Sequence, residues 1–158
     1  MKKLNNKGFT LVELIVVIAI LGVLAGAMSY SINQIFSNRI RKFANEYDTM
    51  LTRCRVETLC GSPAPTTVKL WLDADGHYYA ALYQNGAETE REKLGDSNVT
   101  CTYTAGGVSG TIDASGLDLA FNRSTGALDS YCPQVTEIDI SGVKITVVPS
   151  TGYHKVGG

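Results

Sequence analysis

Phe9 to Met28 reads FTLVELIVVIAILGVLAGAM, and the interpretation of these residues decides the fold. The run holds one charge, Glu13, and no proline. As a helix it would cover ~30 Å at ~1.5 Å per residue, which matches the hydrocarbon core of a bilayer. Residues 1–8, MKKLNNKG, precede it with three lysines and no acid. A basic leader before an apolar run is an export signature, with the leader left on the cytoplasmic side. Three readings compete. A secretory signal peptide would use Ala25-Gly26-Ala27 as its cleavage site. A plain membrane anchor would keep the whole run. Neither explains Glu13, because a lone charge at membrane depth costs roughly 2.5–3.5 kcal/mol and is retained where it has a partner or a task.

Outward from this run, the pattern becomes one-sided. Apolar residues fall at Ile32, Ile35, Phe36, Ile40, Phe43, Tyr47, Met50, Leu51 and Cys54, at helical steps of three and four with occasional neighbours. Polar residues, among them Asn38, Arg39, Arg41, Lys42, Glu46 and Asp48, fill the gaps. No proline interrupts residues 9–62. The spacing predicts one helix from about Phe9 to about Leu59, ~50 residues and ~75 Å long. Its first half is apolar all round. Its second half requires a partner surface along one side, which a cleaved signal peptide would not.

Gly61-Ser62-Pro63-Ala64-Pro65 breaks the helix, and β-structure comes next. Val68–Asp73 and Tyr78–Tyr83 read as strands joined by the turn Asp73-Ala74-Asp75-Gly76. Residues 84–98 (QNGAETEREKLGDSN) read as a polar surface loop or a poor helix. Further short strands are predicted at 99–104, 108–113, 117–121, 135–140 and 143–148, separated by Gly, Ser and Asn turns. The fold class is therefore α+β: a long N-terminal helix whose amphipathic half packs on an antiparallel sheet or sandwich head. The segments are 1–8, 9–28, 29–60 and 61–158.

Lys7-Gly8-Phe9-Thr10-Leu11-Val12-Glu13-Leu14 resembles the prepilin motif of type IV pilins and type II secretion pseudopilins. The resemblance implies that residues 1–8 are a leader and that a membrane-embedded prepilin peptidase cuts after Gly8. It also implies that the new terminus, Phe9, is N-methylated and that Glu13 is the assembly carboxylate. The physical logic is direct. Cleavage creates a positive amine beside an apolar helix, and Glu13 of a neighbouring subunit can neutralise it. Two buried charges that are costly alone become tolerable as a pair, and pairing sets axial register. Many major pilins carry a proline about two-thirds of the way along the apolar segment. This chain has none there, and Gly22 and Gly26 are its weak points, at about 1 kcal/mol of helix propensity each. Their G-x-x-x-G spacing suits close helix packing. The ending Ile145–Tyr153, with Pro149-Ser150-Thr151-Gly152-Tyr153 after a strand, resembles the GspH/FimT class of minor pseudopilins. These resemblances imply a filament subunit held in the membrane before assembly, with an exported head that ends in an extracellular or periplasmic filament.

Charge and composition narrow the alternatives. The chain of 158 residues has a formal net charge of −1 and is 44% apolar, which excludes a disordered chain. Residues 61–158 carry six basic and eleven acidic groups. Phosphate recognition needs clustered Lys and Arg, so a DNA-capturing subunit of a competence filament fits poorly and nucleic acid is not an expected partner. A secreted β-rich binding domain is the alternative if the run is a signal peptide. With two histidines, His77 and His154, and no nucleophile motif, P-loop or G-x-G-x-x-G, no catalytic constellation is present, and no cofactor is expected. The tail residues His154 and Lys155 read as solvated.

The spacing of Cys54, Cys60, Cys101 and Cys132 fits no zinc pattern, and no metal site is expected. In an exported head two disulfides are expected, pairing Cys54 with Cys60 and Cys101 with Cys132, the alternative being buried free thiols. Asp73-Ala74-Asp75-Gly76 lacks the later acids of a calcium loop, which leaves a hairpin turn.

Overall fold

The computed structural model describes residues 9–61 and 65–157, and the side chains of residues 27–33 are outside the described set. A single helix, α1 (Leu11–Leu59), is followed by nine strands. These are β1 (Thr66–Leu72), β2 (His77–Gln84), β3 (Ala87–Asp96), β4 (Cys101–Ala105), β5 (Val108–Thr111), β6 (Leu117–Ala120), β7 (Val135–Ile140), β8 (Val143–Val148) and β9 (Tyr153–Val156). All pairings are antiparallel. They give a four-stranded sheet in the order β3-β2-β1-β6 and a five-stranded sheet in the order β5-β4-β7-β8-β9. The chain forms two compact units, the first ending at Ser37 and the second starting at Asn38.

In the first unit the helix starts just after Thr10, and every described side chain from Phe9 to Gly26 is exposed. In the second unit the helical stripe acquires its covering surface. Ile40, Phe43, Ala44, Tyr47, Met50, Leu51 and Cys54 are buried. They share one core with Val68, Leu70, Tyr78, Leu82, Leu117 and Leu119 of the first sheet and Cys101, Ile138, Ile140, Ile145 and Val147 of the second. Full burial of each larger apolar side chain is worth roughly 1.5–3 kcal/mol, so this stripe is the main attachment of the helix to the sheets. The Phe43 ring lies 5.6 Å from the Tyr78 ring, and a β-carbon added at Gly95 would sit 2.8 Å from Phe43 Cδ1. Gly95 thus leaves room for the helix on the sheet. The helix closes with the Cys60 N–H donating to Val56 O at 2.8 Å and Gly61 at φ +83°, the left-handed ending that glycine tolerates. The rest of the expected break, Ser62 to Ala64, lies outside the described residues.

Two segments differ from the sequence expectation. Residues 84–98 are neither loop nor helix. Their core is β3, paired to β2 through the two-residue turn Asn85-Gly86, with φ of +52° and +76°. Two positive φ values in a two-residue loop match the twist of paired strands, so the turn imposes the pairing. β3 lacks apolar alternation because it is an edge strand with one buried side chain, Leu94. Its charged residues guard an open edge. The tail is not a free end either, since Tyr153–Val156 pairs with β8 as β9; Lys155 is exposed as expected, but the His154 side chain is buried. The turn Asp73–Gly76 stands as expected between β1 and β2, with the Gly76 N–H donating to Asp73 O at 3.0 Å.

Candidate functional site

The amino-terminal end of α1 is built from three consecutive choices in sequence. Thr10 is the residue before the helix, Glu13 lies in the first turn, and uncharged residues continue to Gly26. Thr10 and Glu13 cap one another. The Glu13 N–H donates to Thr10 Oγ1 at 3.2 Å. Thr10 donates twice to Glu13 Oε2, from its N–H at 3.0 Å and its hydroxyl at 2.9 Å. This is a capping box, which satisfies backbone donors that a helix start leaves free. The carboxylate also sits at the positive end of the helix dipole. Glu13 is therefore held in a defined direction, and among the described residues its hydrogen-bond partners are on Thr10.

The surroundings of this carboxylate are exposed and apolar. Phe9 is 85% exposed, Leu11 73%, Val12 68% and Val23 74%. An apolar helix bare on all sides is not a stable surface in water, where apolar burial is the dominant favourable term. Among the described residues, no helix is long and apolar enough to cross a membrane. The run that the sequence extends to Met28 is described, side chains included, only as far as Gly26. Gly8 and the leader 1–8 lie outside the described residues, while Phe9 is described and exposed.

The cysteines are four free thiols, with Cys54, Cys101 and Cys132 buried and Cys60 exposed. The expected Cys54–Cys60 pair is not made, for a clear reason. The chain stays helical between them, so six residues separate them by ~9 Å of rise, beyond the ~7 Å Cα limit of a disulfide. The expected Cys101–Cys132 pair is not made either. Cys101 is inside the second sheet beside Tyr78, whereas Cys132 lines a shallow cleft next to β6 with Asp118 and Tyr131. The Cys54 Sγ–H points at Thr66 O, 3.4 Å away. Burial pushes the Cys54 and Cys101 thiols up to about 12 and raises Cys132 as well. Iodoacetamide at pH 8 should accordingly modify Cys60 quickly in the folded, reduced chain. Cys54 and Cys101 should react at least ~10²-fold more slowly, and all four should react in denaturant. Peptide mapping by mass reads the pattern, and rapid native labelling of Cys54 would contradict the packing.

No cluster of three or more His, Cys, Asp or Glu side chains suited to a metal occurs among the described residues. In the Asp73–Gly76 turn, Asp75 uses its oxygens locally, accepting the His77 N–H at 3.0 Å and the Tyr79 hydroxyl at 2.8 Å. Sequence reasoning missed two groups that the structure brings together. Arg55 donates from Nε to Gly126 O at 3.1 Å and from an Nη to Thr151 O at 2.9 Å. His154 approaches Thr52 and Asp48 on α1. Each contact joins residues at least 71 apart, and no local pattern announces it.

Among the described residues, the amino-terminal helix thus combines a bare apolar surface with an oriented carboxylate. Among curated proteins and solved structures, none matches the chain. Residues 3–29 match the family model of the prokaryotic N-terminal methylation motif, the class III signal of type IV pilins and pseudopilins.

Proposed function

We propose that the chain is a structural filament subunit of a type IV pilus or a type II secretion-like pseudopilus. Residues 1–8 are its leader, and prepilin peptidase cuts between Gly8 and Phe9 and methylates the Phe9 amine. Residues 9–28 hold the subunit in the cytoplasmic membrane until assembly and then join the filament core, while the residues from 61 form the exported head. The observation that carries this reading is the match of residues 3–29 to the methylation motif, on a helix whose only described charge before Ser37 is Glu13. Transfer of the bare helix from lipid to a bundle of like helices keeps its apolar surface out of water throughout. In that bundle Glu13 exchanges Thr10 for the Phe9 amine of a neighbour, which fixes axial register. The ending Pro149–Tyr153 supports assignment to the minor subunits. A DNA-binding role is disfavoured by the acidic balance of residues 61–158.

The test is the mass of the N-terminal peptide from material isolated from native membranes. The expected species begins with N-methylated Phe9. A chain beginning at Met28 would mean ordinary secretion and would remove the filament role. A chain retaining Met1 would leave an unprocessed anchor and equally overturn the proposal.

A further inference from the structure

β9 is the last strand of its sheet, and among the described strands it pairs only with β8. Its other attachment is His154, whose side chain is 6% exposed. Nδ1 lies 3.0 Å from Gly152 O. A carbonyl can only accept, so Nδ1 carries the proton. In the neutral ring Nε2 is then a bare acceptor, and Thr52 Oγ1 donates to it at 2.9 Å. Asp48, one turn earlier on α1, places Oδ1 3.8 Å from the same Nε2. That oxygen is buried and has no hydrogen-bond partner among the described residues. The deprotonated arrangement therefore faces a buried carboxylate oxygen with a nitrogen lone pair.

One added proton removes this conflict wherever it resides. On Nε2 it makes an imidazolium that donates towards Thr52 and Asp48. On Asp48 it makes a carboxyl that donates to Nε2. Among the described residues, the following other groups lie near the pair. From α1 comes the Arg55 guanidinium, already engaged by Gly126 O and Thr151 O. On β9 itself Lys155 is exposed and alternates to the opposite side of the strand. From the segment after β6 comes the uncharged Phe121 ring, 6.2 Å from the imidazole. Burial raises the proton affinity of Asp48, against a weaker opposing effect of His154.

We propose that Asp48 and His154 share one proton in the folded chain, and that this proton fastens the C-terminal strand to α1. The strand is held more tightly in mildly acidic than in alkaline solution. The sign comes from linkage. The folded pair binds a proton that the unfolded groups, with ordinary values of about 6.5 for His and 3.9 for Asp, have released by pH 8. Its contribution is full below the unfolded histidine value and is lost as pH rises through the folded value of the pair. Between those two values, each pH unit shifts the folding equilibrium by up to about tenfold.

The test uses the full chain in detergent micelles, with ¹⁵N NMR of both histidines, ¹³C NMR of Asp48 and urea midpoints from pH 5 to pH 9. His77, paired with Asp96 at 2.7 Å in the β2–β3 hairpin, serves as the internal reference. The expected result is one proton kept on the Asp48–His154 pair in mildly acidic solution and lost in alkaline solution, with neutral His154 in the Nδ1–H form. The urea midpoint should fall between pH 6 and pH 9. Asp48→Asn should flatten that fall while leaving the alkaline stability intact, because its amide can donate to Nε2. His154→Gln should flatten it too and leave the His77 titration unchanged. An Nε2–H tautomer would overturn the proposal. So would ordinary titration of both groups, or a midpoint that falls equally in wild type and Asp48→Asn. None of these outcomes bears on processing at Phe9.

Discussion

Gly152→Ala should prevent folding of the second unit, a loss of more than ~4 kcal/mol. Gly152 sits at φ +66°, where an L-residue is strained by roughly 1–2 kcal/mol. That strain is the smaller part. A β-carbon there would overlap the carbonyl oxygen of Gly126 and lie 2.9 Å from Phe121 Cδ1. Both backbones are fixed. The Gly152 N–H donates to Val148 O and the Gly126 N–H to Asn122 O, each at 2.8 Å. Arg55 clamps Gly126 O and Thr151 O from the helix side. The collision is backbone on side chain with no flexible end to yield, which is among the few ways one methyl group costs so much. Gly86→Ala is the control, because its φ is +76° but nothing lies within 4 Å of the added carbon. It should cost only the strain, about 1–2 kcal/mol. Urea midpoints of the full chain in detergent decide the matter. Equal midpoints for the two variants would mean that the Gly126–Gly152 approach is not part of the folded state.

Glu13→Ala should abolish filament assembly, whereas Thr10→Ala should leave it largely intact. The pair separates the capping contacts that the structure shows from the assembly role proposed for the same carboxylate. As a capping box, Thr10 and Glu13 contribute jointly, and loss of either costs about 0.5–2 kcal/mol of local helix stability. That cost is the same order for both variants and falls on an end of the helix that membrane or filament supports. In the proposed assembly role, Glu13 alone matters. Its loss leaves the neighbouring Phe9 amine as an uncompensated charge in an apolar core, and breaking a buried pair costs roughly 3–5 kcal/mol per contact. Repeated at every subunit, that is enough to end polymerisation. Electron microscopy of sheared filaments, with immunoblots of membrane-retained subunit, gives the readout. Comparable filament loss in both variants would reduce Glu13 to a helix cap, and abundant filaments from Glu13→Ala would remove its assembly role.

How much of the fold is legible in the sequence depends on the range of the signal. The prepilin-like motif is eight consecutive residues, and the stripe from Ile40 to Cys54 needs only helical spacing. Both are local and survive without knowledge of the fold. Most strands are visible through buried alternation. β3 is not, because an edge strand with one buried side chain has no apolar period to detect. Its signal is Asn85-Gly86, a turn pair whose two positive φ values dictate a hairpin even when the next strand is polar. The cysteines show the opposite failure. Export favours disulfides, yet α1 persists to Leu59 and separates Cys54 from Cys60 along its axis.

By itself the sequence determined the long helix, its apolar first half, the lone carboxylate at its start and the methylation motif there. Each depends on residues within a few turns of one another, where backbone geometry alone relates position to neighbour. Only the tertiary structure decided that His154 is buried against Thr52 and Asp48, that Arg55 bridges Gly126 and Thr151, and that Gly152 has no room for a side chain. Those facts depend on strands closing across some seventy to a hundred residues, and one residue of register would put His154 on the other face.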